Sequence, residues 1–144
     1  MPDLEVLENP KTNLASEVIS SDGKTLGKYY FNDNRTPVTF EELPSHLVDA
    51  LIATEDIRFY SHSGIDFKRT VAAAIKLGKD GGGSTITQQL AKLLFTGEGS
   101  RDIIERLTQK FKEYIIAVRL ERHYTKNEII TQYLNLYDFG NNGD

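Results

Sequence analysis

One long stretch decides the fold: Arg101–Tyr124, with the sequence RDIIERLTQKFKEYIIAVRLERHY. As a helix rising about 1.5 Å per residue, it extends roughly 35 Å and crosses a whole small domain. Its apolar residues form two stripes. The main stripe contains Ile104, Leu107, Phe111, Ile115 and Val118, and the second contains Ile116, Ala117 and Leu120. A helix that is apolar on two sides is typical of the centre of a fold, so a mainly α-helical domain is predicted around it.

The composition narrows the class of protein. The chain has 144 residues, 39% hydrophobic and 26% charged, as in one globular domain. The absence of cysteine excludes a disulfide framework, thiolate zinc sites and thiol catalysis. No uncharged apolar run approaches the roughly 18 to 20 residues that span a bilayer. Between Ser84 and Lys126 the chain has 8 basic and 5 acidic side chains, so a phosphate-bearing partner is expected to meet this stretch; the alternative is a solvated surface.

The remaining elements follow from local patterns. Residues 17–20 and 25–31 flank an Asp-Gly turn at Gly23 and predict a β-hairpin. Helices are predicted at 45–58, from Asp66 to Gly78, from Ser84 onward, and from Thr125 to about Tyr137. Capping boxes begin at Thr39 and at Thr125, each followed three residues later by glutamate. In the second helix Val71, Ala74 and Ile75 are predicted to face the core.

Two glutamates are predicted to lie against apolar surface. Glu55 stands four residues after Leu51 and three after Ile52, which projects its carboxylate along the apolar side of its helix. Glu113 begins the second stripe of the long helix. Two half-buried carboxylates on different helices are typical of acid–base chemistry at a sugar carbon. The alternatives are that Glu55 ends its helix at the surface and that Glu113 forms an ordinary surface pair with Lys110.

The segment Gly81–Lys92, GGGSTITQQLAK, joins a glycine run to a helix start. Ser84, Gln88 and Lys92 follow one another at i, i+4 spacing, which predicts a polar edge that is free to bind, opposite an apolar face. Glycines before a helix leave backbone N–H groups open to an anion, and Lys92 adds positive charge, so a phosphate or pyrophosphate ligand is favoured. The alternative is a linker with serine as the helix N-cap.

Metal binding by histidine is not predicted. His62 falls in a loop after the first helix, and His46 and His123 are not placed at metal-ligand spacing from it. We interpret His62 as a hydrogen-bonded structural residue, and no zinc site is expected.

Four segments stand in a fixed order: EDIRFYSHSG at 55–64, GGSTITQQLAK at 82–92, KFKEYIIAVRLE at 110–121, and KNEIITQYLN at 126–135, followed by Phe139-Gly140. Together they resemble the four motifs of the peptidoglycan glycosyltransferase domain of class A penicillin-binding proteins and their monofunctional relatives. The first matches the family pattern Glu-Asp-x-x-Phe-x-x-His-x-Gly. Four ordered motifs are far more specific than any one of them.

The resemblance implies a lysozyme-like helical domain with a small N-terminal β-hairpin, which polymerises lipid II into β-1,4 glycan strands with inversion and release of lipid pyrophosphate. It implies Glu55 as the general base. Glu113 would assist departure of the pyrophosphate, directly or through a divalent cation such as Mg²⁺. Binding of pyrophosphate and sugar is implied for Ser84, Thr85, Gln88, Lys92, Lys110 and Arg58. Shaping of the loop that bears Glu55 is implied for Asp56, Phe59, His62 and Gly64.

The resemblance also implies boundaries and a location. We expect a fragment truncated at its C-terminus, with an extended or β linker at 1–38 that follows an absent membrane anchor, and the N-terminal portion of the glycosyltransferase domain at 39–144. The expected location is the cell membrane, with the catalytic domain on the extracytoplasmic face. Expected partners are lipid II, the growing glycan strand, the inner-membrane surface and a downstream transpeptidase domain. The family usually has Asn, Arg and Glu where Leu93, Gln109 and Thr131 stand, so these three positions receive no role.

Three alternatives remain open. The first is a lysozyme-like or lytic enzyme that cleaves glycan, against which the second carboxylate and the pyrophosphate-sized cradle at Lys92 argue. The second is a non-catalytic fragment that only binds. The third is DNA binding, which the acidic balance and the lack of a basic recognition helix oppose, so no nucleic-acid partner is expected.

Overall fold

Five α-helices and one hairpin are the main elements of the described part of the chain. A computed structural model describes residues 16–29, 36–75, 83–96 and 102–137. The strands are β1 (Ser16–Ile19) and β2 (Thr25–Tyr29). The helices are α1 (Ser45–Glu55), α2 (Phe67–Ile75), α3 (Ile86–Ala91), α4 (Ile103–His123) and α5 (Lys126–Leu136). The predicted mainly helical fold with a small N-terminal hairpin is confirmed. The division at residue 38 stays a prediction.

The hairpin pairs antiparallel strands through the predicted turn. Ser16 lies opposite Tyr29 and Val18 opposite Gly27, with a shift of register after Val18. Gly23 has a φ of +81°, a conformation that glycine adopts without the steric cost of a side chain. The turn closes where the N–H of Gly23 donates to the carbonyl of Ser20 at 2.9 Å.

Side-chain caps set where the helices begin. Thr125 caps α5 by accepting from the N–H of Glu128, and the carboxylate of Glu128 accepts from the Thr125 N–H at 2.7 Å, as the capping box predicts. The equivalent pair at Thr39 caps only a short 3₁₀ turn, Phe40–Glu42, and α1 begins after Pro44. α1 ends at Glu55, three residues before the predicted end, because the backbone of Asp56 leaves the helical region.

The core is built around α3, which contacts both α4 and α5. Its apolar residues Ile86, Leu90 and Ala91 are buried together with Leu120, Ile129, Ile130 and Tyr133 of the neighbouring helices. Each fully buried large aliphatic side chain stabilises the fold by roughly 1.5–3 kcal/mol. Of the predicted polar edge, Gln88 is buried whereas Ser84 and Lys92 are not, so the prediction of an edge free to bind holds only in part. A short helix packed between two longer ones is covered on nearly every side.

The prediction of which apolar stripe of α4 is the main one is reversed in the structure. The second stripe, Ile116, Ala117 and Leu120, is buried, whereas Ile104, Leu107 and Phe111 of the main stripe are exposed. Val71 and Ile75 of α2 are exposed too, which contradicts their predicted core position, and the side chain of Ala74 lies outside the described residues. None of the described helices combines the length and the apolar character that a bilayer span requires.

Candidate active site

Four of the predicted site residues line a cavity of about 470 Å³ between the start of α3 and one face of α4. Its lining includes Ser84, Gln89, Lys92, Arg106, Lys110 and Glu113. The last two residues stand three apart on α4, so helical geometry turns them to the same side. The cavity therefore brings together a carboxylate, three cationic side chains and neutral hydrogen-bonding groups.

Lys110 links the two walls of the cavity. Its ammonium lies 2.8 Å from Oε2 of Glu113 and 2.6 Å from Oγ of Ser84. Glu113 is only 4% exposed, and this ammonium is the cation that offsets the burial of its carboxylate. An ammonium has three N–H donors, and these two contacts leave the third for an anion in the cavity. Burial and the charge of Glu113 raise the pKa of the neighbouring Tyr114, which stays a phenol at neutral pH.

Glu55 is connected to the same cavity through Gln89. The amide Nε2 of Gln89 donates to Oε2 of Glu55 at 2.8 Å, and its Oε1 accepts from the hydroxyl of Tyr133 at 3.0 Å. Burial, followed by the negative charge of Glu55, raises the pKa of Tyr133 far above the ordinary value for a phenol, so the hydroxyl keeps its proton. The guanidinium of Arg69 donates to the backbone carbonyl of Glu55. The end of α1 is thus held from both sides.

Asp56 ties the loop after α1 to the start of α3. Its Oδ2 lies 2.9 Å from Nε2 of His62 and accepts from the N–H of Ile86 at 3.2 Å. Asp56 is 1% exposed, and the N–H of Ile86 is one of the donors that a helix leaves unsatisfied at its start. The carboxylate that meets the first turn of α3 therefore comes from the protein itself.

The other end of this loop is fixed by Gly64 and Lys126. The carbonyl of Gly64 accepts from Oγ1 of Thr85 at 2.7 Å. The ammonium of Lys126 donates to the carbonyl of His62 at 2.7 Å and lies 4.2 Å from the ring centre of the buried Phe59. These contacts join the loop to α3 and α5 and leave little freedom to the residues that follow Glu55.

Comparison with known proteins shows the family to which the chain belongs. The family described as Transglycosylase matches residues 22–143. The chain belongs to the transglycosylase family.

Its relatives are penicillin-binding proteins. The chain is 41% identical to penicillin-binding protein 1F of Bacillus subtilis over 88% of its own length and 17% of that protein. It is 38% identical to penicillin-binding protein 1A of Escherichia coli over 94% of its length and 16% of that protein, and 40% identical to penicillin-binding protein 1A of Aquifex aeolicus over 94% and 18%. The chain thus spans about a sixth of the length of these relatives.

Two of the predicted ligand-binding residues of this transglycosylase chain do not reach the cavity. Thr85 and Gln88 are fully buried. Thr85 caps α3 by accepting from the N–H of Gln88 at 3.1 Å, and Oε1 of Gln88 accepts from the N–H of Thr85 at 3.3 Å. Together with Asp56 they occupy the N–H groups of Thr85, Ile86 and Gln88. In this structure the two side chains cap α3 and do not line the cavity, and their contact with substrate stays a prediction.

Arg58 is also absent from this cavity. Its Nε and one terminal nitrogen both lie 2.7 Å from Oδ2 of Asp66, and it lines a separate cavity of about 450 Å³ together with that residue. Burial favours the neutral form of Asp66, but the hydrogen bonds from Arg58 and from the N–H of Arg69 hold the pKa of Asp66 below its usual value. A guanidinium engaged in this way shapes the loop, and its predicted contact with the substrate stays a prediction.

A divalent cation near Glu113 is not supported by a cluster of protein ligands. Within the described ranges no three histidine, aspartate or glutamate side chains converge on one point. Glu113 is the acidic residue in the lining of the cavity, and its Oε2 is already paired with Lys110. The described residues do not form a site that would hold a metal by themselves.

Several residues of the site are not among the predicted site residues. Gln89 and Tyr133 connect to Glu55, Arg69 holds its backbone, and Arg106 lines the cavity. Gln89 belongs to the second motif, and helical spacing from Lys92 places it near the same face. The sequence contains no signal for the partner of the Tyr133 hydroxyl.

Proposed function

We propose that this chain is the catalytic part of a peptidoglycan glycosyltransferase that polymerises lipid II. One observation carries the proposal: a single cavity contains Lys92, Lys110 and Glu113, and the amide of Gln89 joins it to Glu55. Cations on one side and a carboxylate on the other are what a reaction needs when a diphosphate departs while a hydroxyl loses its proton. Membership of the transglycosylase family supports the same reaction class.

The proposed step is one displacement with inversion. The oxygen of the acceptor 4-hydroxyl forms a bond to the anomeric carbon of the donor, and the bond from that carbon to the diphosphate oxygen breaks. The electron pair of the broken bond leaves with the lipid diphosphate. Glu55 takes the hydroxyl proton as general base, so no covalent glycosyl-enzyme forms.

Lys110 and Lys92 are proposed to stabilise the departing diphosphate. Glu113 and Ser84 hold the ammonium of Lys110 in place before the substrate arrives, at 2.8 and 2.6 Å. A cation that is already oriented needs no reorganisation as negative charge develops on the leaving group. Mg²⁺ commonly binds one carboxylate together with substrate phosphates, and its participation here would appear as loss of activity in EDTA that Mg²⁺ restores.

The same proposal places the chain at the extracytoplasmic face of the cell membrane, where a lipid-linked donor and a growing glycan strand are present. Its relatives are named for binding penicillin and are about six times as long as the aligned region, so a transpeptidase domain beside this one is part of the proposal. Cross-linking to lipid vesicles that contain lipid II, compared with vesicles that lack it, tests this location.

Substitution of Glu55→Gln tests the reaction. Labelled lipid II is incubated with the protein, and polymer is separated from monomer by electrophoresis. The loss of a general base lowers turnover by about 10²- to 10⁴-fold, while the binding of lipid II is retained. Glu17→Gln, which removes a carboxylate from the exposed hairpin, is the matched control and is expected to leave turnover unchanged. Unchanged polymerisation by Glu55→Gln, or shortening of purified glycan strands without polymer formation, would contradict the proposal.

A further inference from the structure

Two hydrogen bonds in series join three helices behind the proposed base. Tyr133 on α5 donates to Gln89 on α3, and Gln89 donates to Glu55 at the end of α1. The two contacts measure 3.0 and 2.8 Å. Tyr133 is 1% exposed and its ring stacks on Tyr137 with 4.9 Å between ring centres. The hydroxyl is therefore presented from a fixed ring.

The donor and acceptor properties of the three groups fix the direction of both hydrogen bonds. An ionised carboxylate only accepts hydrogen bonds, so the amide of Gln89 must turn its NH₂ toward Glu55. The carbonyl oxygen of the same amide then faces Tyr133, which must donate. A phenol that keeps its proton satisfies this requirement, as the raised pKa of Tyr133 indicates.

The series also distinguishes the two oxygens of Glu55. Oε2 accepts from Gln89, whereas Oε1 has no hydrogen-bond partner among the described residues. We propose that Tyr133 is a positioning residue whose hydroxyl fixes the amide of Gln89, so that Oε2 of Glu55 is held and Oε1 is the oxygen that takes the acceptor proton. This inference rests on the proposed function, because it assigns an orientation to the proposed general base.

The Tyr133 hydroxyl is needed because the side-chain amide of Gln89 can rotate, which exchanges the positions of its NH₂ group and its carbonyl oxygen. Without it, nothing among the described contacts of Gln89 prevents its carbonyl oxygen from facing Glu55, where two acceptors would repel each other. The carboxylate would then rotate away from the acceptor sugar. A misplacement of about 1 Å at the reacting atoms costs up to about 100-fold in rate, so a residue that never touches substrate can affect turnover strongly.

Tyr133→Phe tests the inference in the polymerisation assay. We expect kcat to fall about 10- to 100-fold while KM for lipid II stays unchanged, because the cavity residues that hold the diphosphate are untouched. Gln89→Leu should lower kcat at least as much, and adding Tyr133→Phe to it should change nothing further, because the two residues act in series. Tyr29→Phe makes the same chemical change in the exposed hairpin and is the matched control.

A second measurement detects the side-chain amide of Gln89 directly. In protein labelled with ¹⁵N-glutamine, the side-chain NH₂ signals of Gln89 should move in Tyr133→Phe and stay in place in Tyr29→Phe. Unmoved signals, or a change in KM alone, would overturn the positioning role. So would a further loss of kcat when Tyr133→Phe is added to Gln89→Leu, since that is the behaviour of a purely structural residue. If the unsubstituted protein makes no polymer, the proposed function itself is contradicted, which the other outcomes leave intact.

Discussion

Gly64 lies directly against the backbone of Ala117, where a Cβ atom on Gly64 would approach the Ala117 carbonyl oxygen to 2.7 Å. The loop after α1 is thereby pressed onto the middle of α4, four residues from Glu113. Gly64 also has a φ of +90°, which side chains rarely adopt. The motif glycine thus has two separate reasons to lack a side chain.

Gly64→Ala should reduce the free energy of unfolding by about 3 kcal/mol, because the contact and the backbone conformation both become unfavourable. Gly23→Ala separates the two causes: its φ is +81°, but no atom lies within 4 Å of the added Cβ. That variant should lose only about 1 kcal/mol. Urea unfolding measures both, and equal losses would show that the contact with Ala117 has no energetic weight.

Lys126 makes three contacts that hold the loop, to the carbonyl of His62, to Glu121 and to the ring of Phe59. Lys126→Met keeps the apolar stem but leaves the carboxylate of Glu121 buried without its cation, which should cost about 3 kcal/mol. Lys24→Met removes an exposed ion pair with Asp22, which solvent screens, and should cost far less. Thermal unfolding compares them, and similar losses would mean that the contacts of Lys126 are worth no more than a surface pair.

Substitutions of Lys110 and Glu113 are expected to affect stability and activity differently. Lys110→Met leaves a buried carboxylate unpaired and should lower the free energy of unfolding by about 2 kcal/mol. Adding Glu113→Gln removes the unpaired charge, so most of that stability should return, whereas polymerisation should stay lost. Denaturant unfolding and the lipid II assay are run on the same samples. Recovery of polymerisation in the double variant would contradict the proposed role of Lys110 at the leaving group.

Asp66 should make stability depend on pH. Its pKa is lower in the folded protein than in the unfolded chain, so its stabilising effect is complete above the unfolded value of about 3.9 and is lost as the pH falls through the folded value. Asp66→Asn should therefore be less stable than the unsubstituted protein at pH 7, and this difference should shrink below about pH 4. Urea unfolding between pH 7 and pH 2.5 measures it.

Asp49→Asn on the exposed face of α1 is the control for that series, with an effect on stability that stays small throughout. A difference between Asp66→Asn and the unsubstituted protein that is the same at every pH would assign the loss to packing rather than to the ion pair with Arg58.

Spacing along the sequence predicts which residues share a helical face, but not which face is covered. It correctly places Glu113 beside Ile116, Ala117 and Leu120, yet it ranks the stripe through Ile104 higher because that stripe is longer. Burial depends on the neighbours of α4, and these are set by long-range packing. The same limit applies to α3, which has the pattern of a half-exposed helix and is surrounded by α4 and α5.

Prediction of the site from sequence motifs has a related limit. Ser84, Lys92, Lys110 and Glu113 are predicted as site residues and line one cavity, because the motifs contain them together. Thr85 and Gln88 belong to the same motif, but their side chains cap α3, and Arg58 pairs with Asp66. A motif indicates that a residue takes part in a site. It does not say whether the residue contacts the ligand or supports another residue that does.

Arg106 is expected to bind the diphosphate although it lies outside the predicted site residues. It stands four residues before Lys110 on α4 and lines the cavity, and its guanidinium has no ion pair or hydrogen bond among the described residues. The neighbouring Gln109 is neutral at a position where the resembling family usually has arginine. Arg106→Gln should therefore raise KM for lipid II about tenfold, the loss of one charge-assisted hydrogen bond, with a smaller change in kcat.

Two further variants make this prediction specific to the cavity. Arg122→Gln removes the same charge from the last turn of α4, outside the cavity lining, and should leave KM unchanged. Gln109→Arg, added to Arg106→Gln, returns a guanidinium one turn along the same face and should recover most of the lost affinity. Steady-state polymerisation over a range of lipid II concentrations measures all three. If Arg106→Gln and Arg122→Gln behave alike, Arg106 adds only to the general charge of α4, and the diphosphate is bound by the two lysines alone.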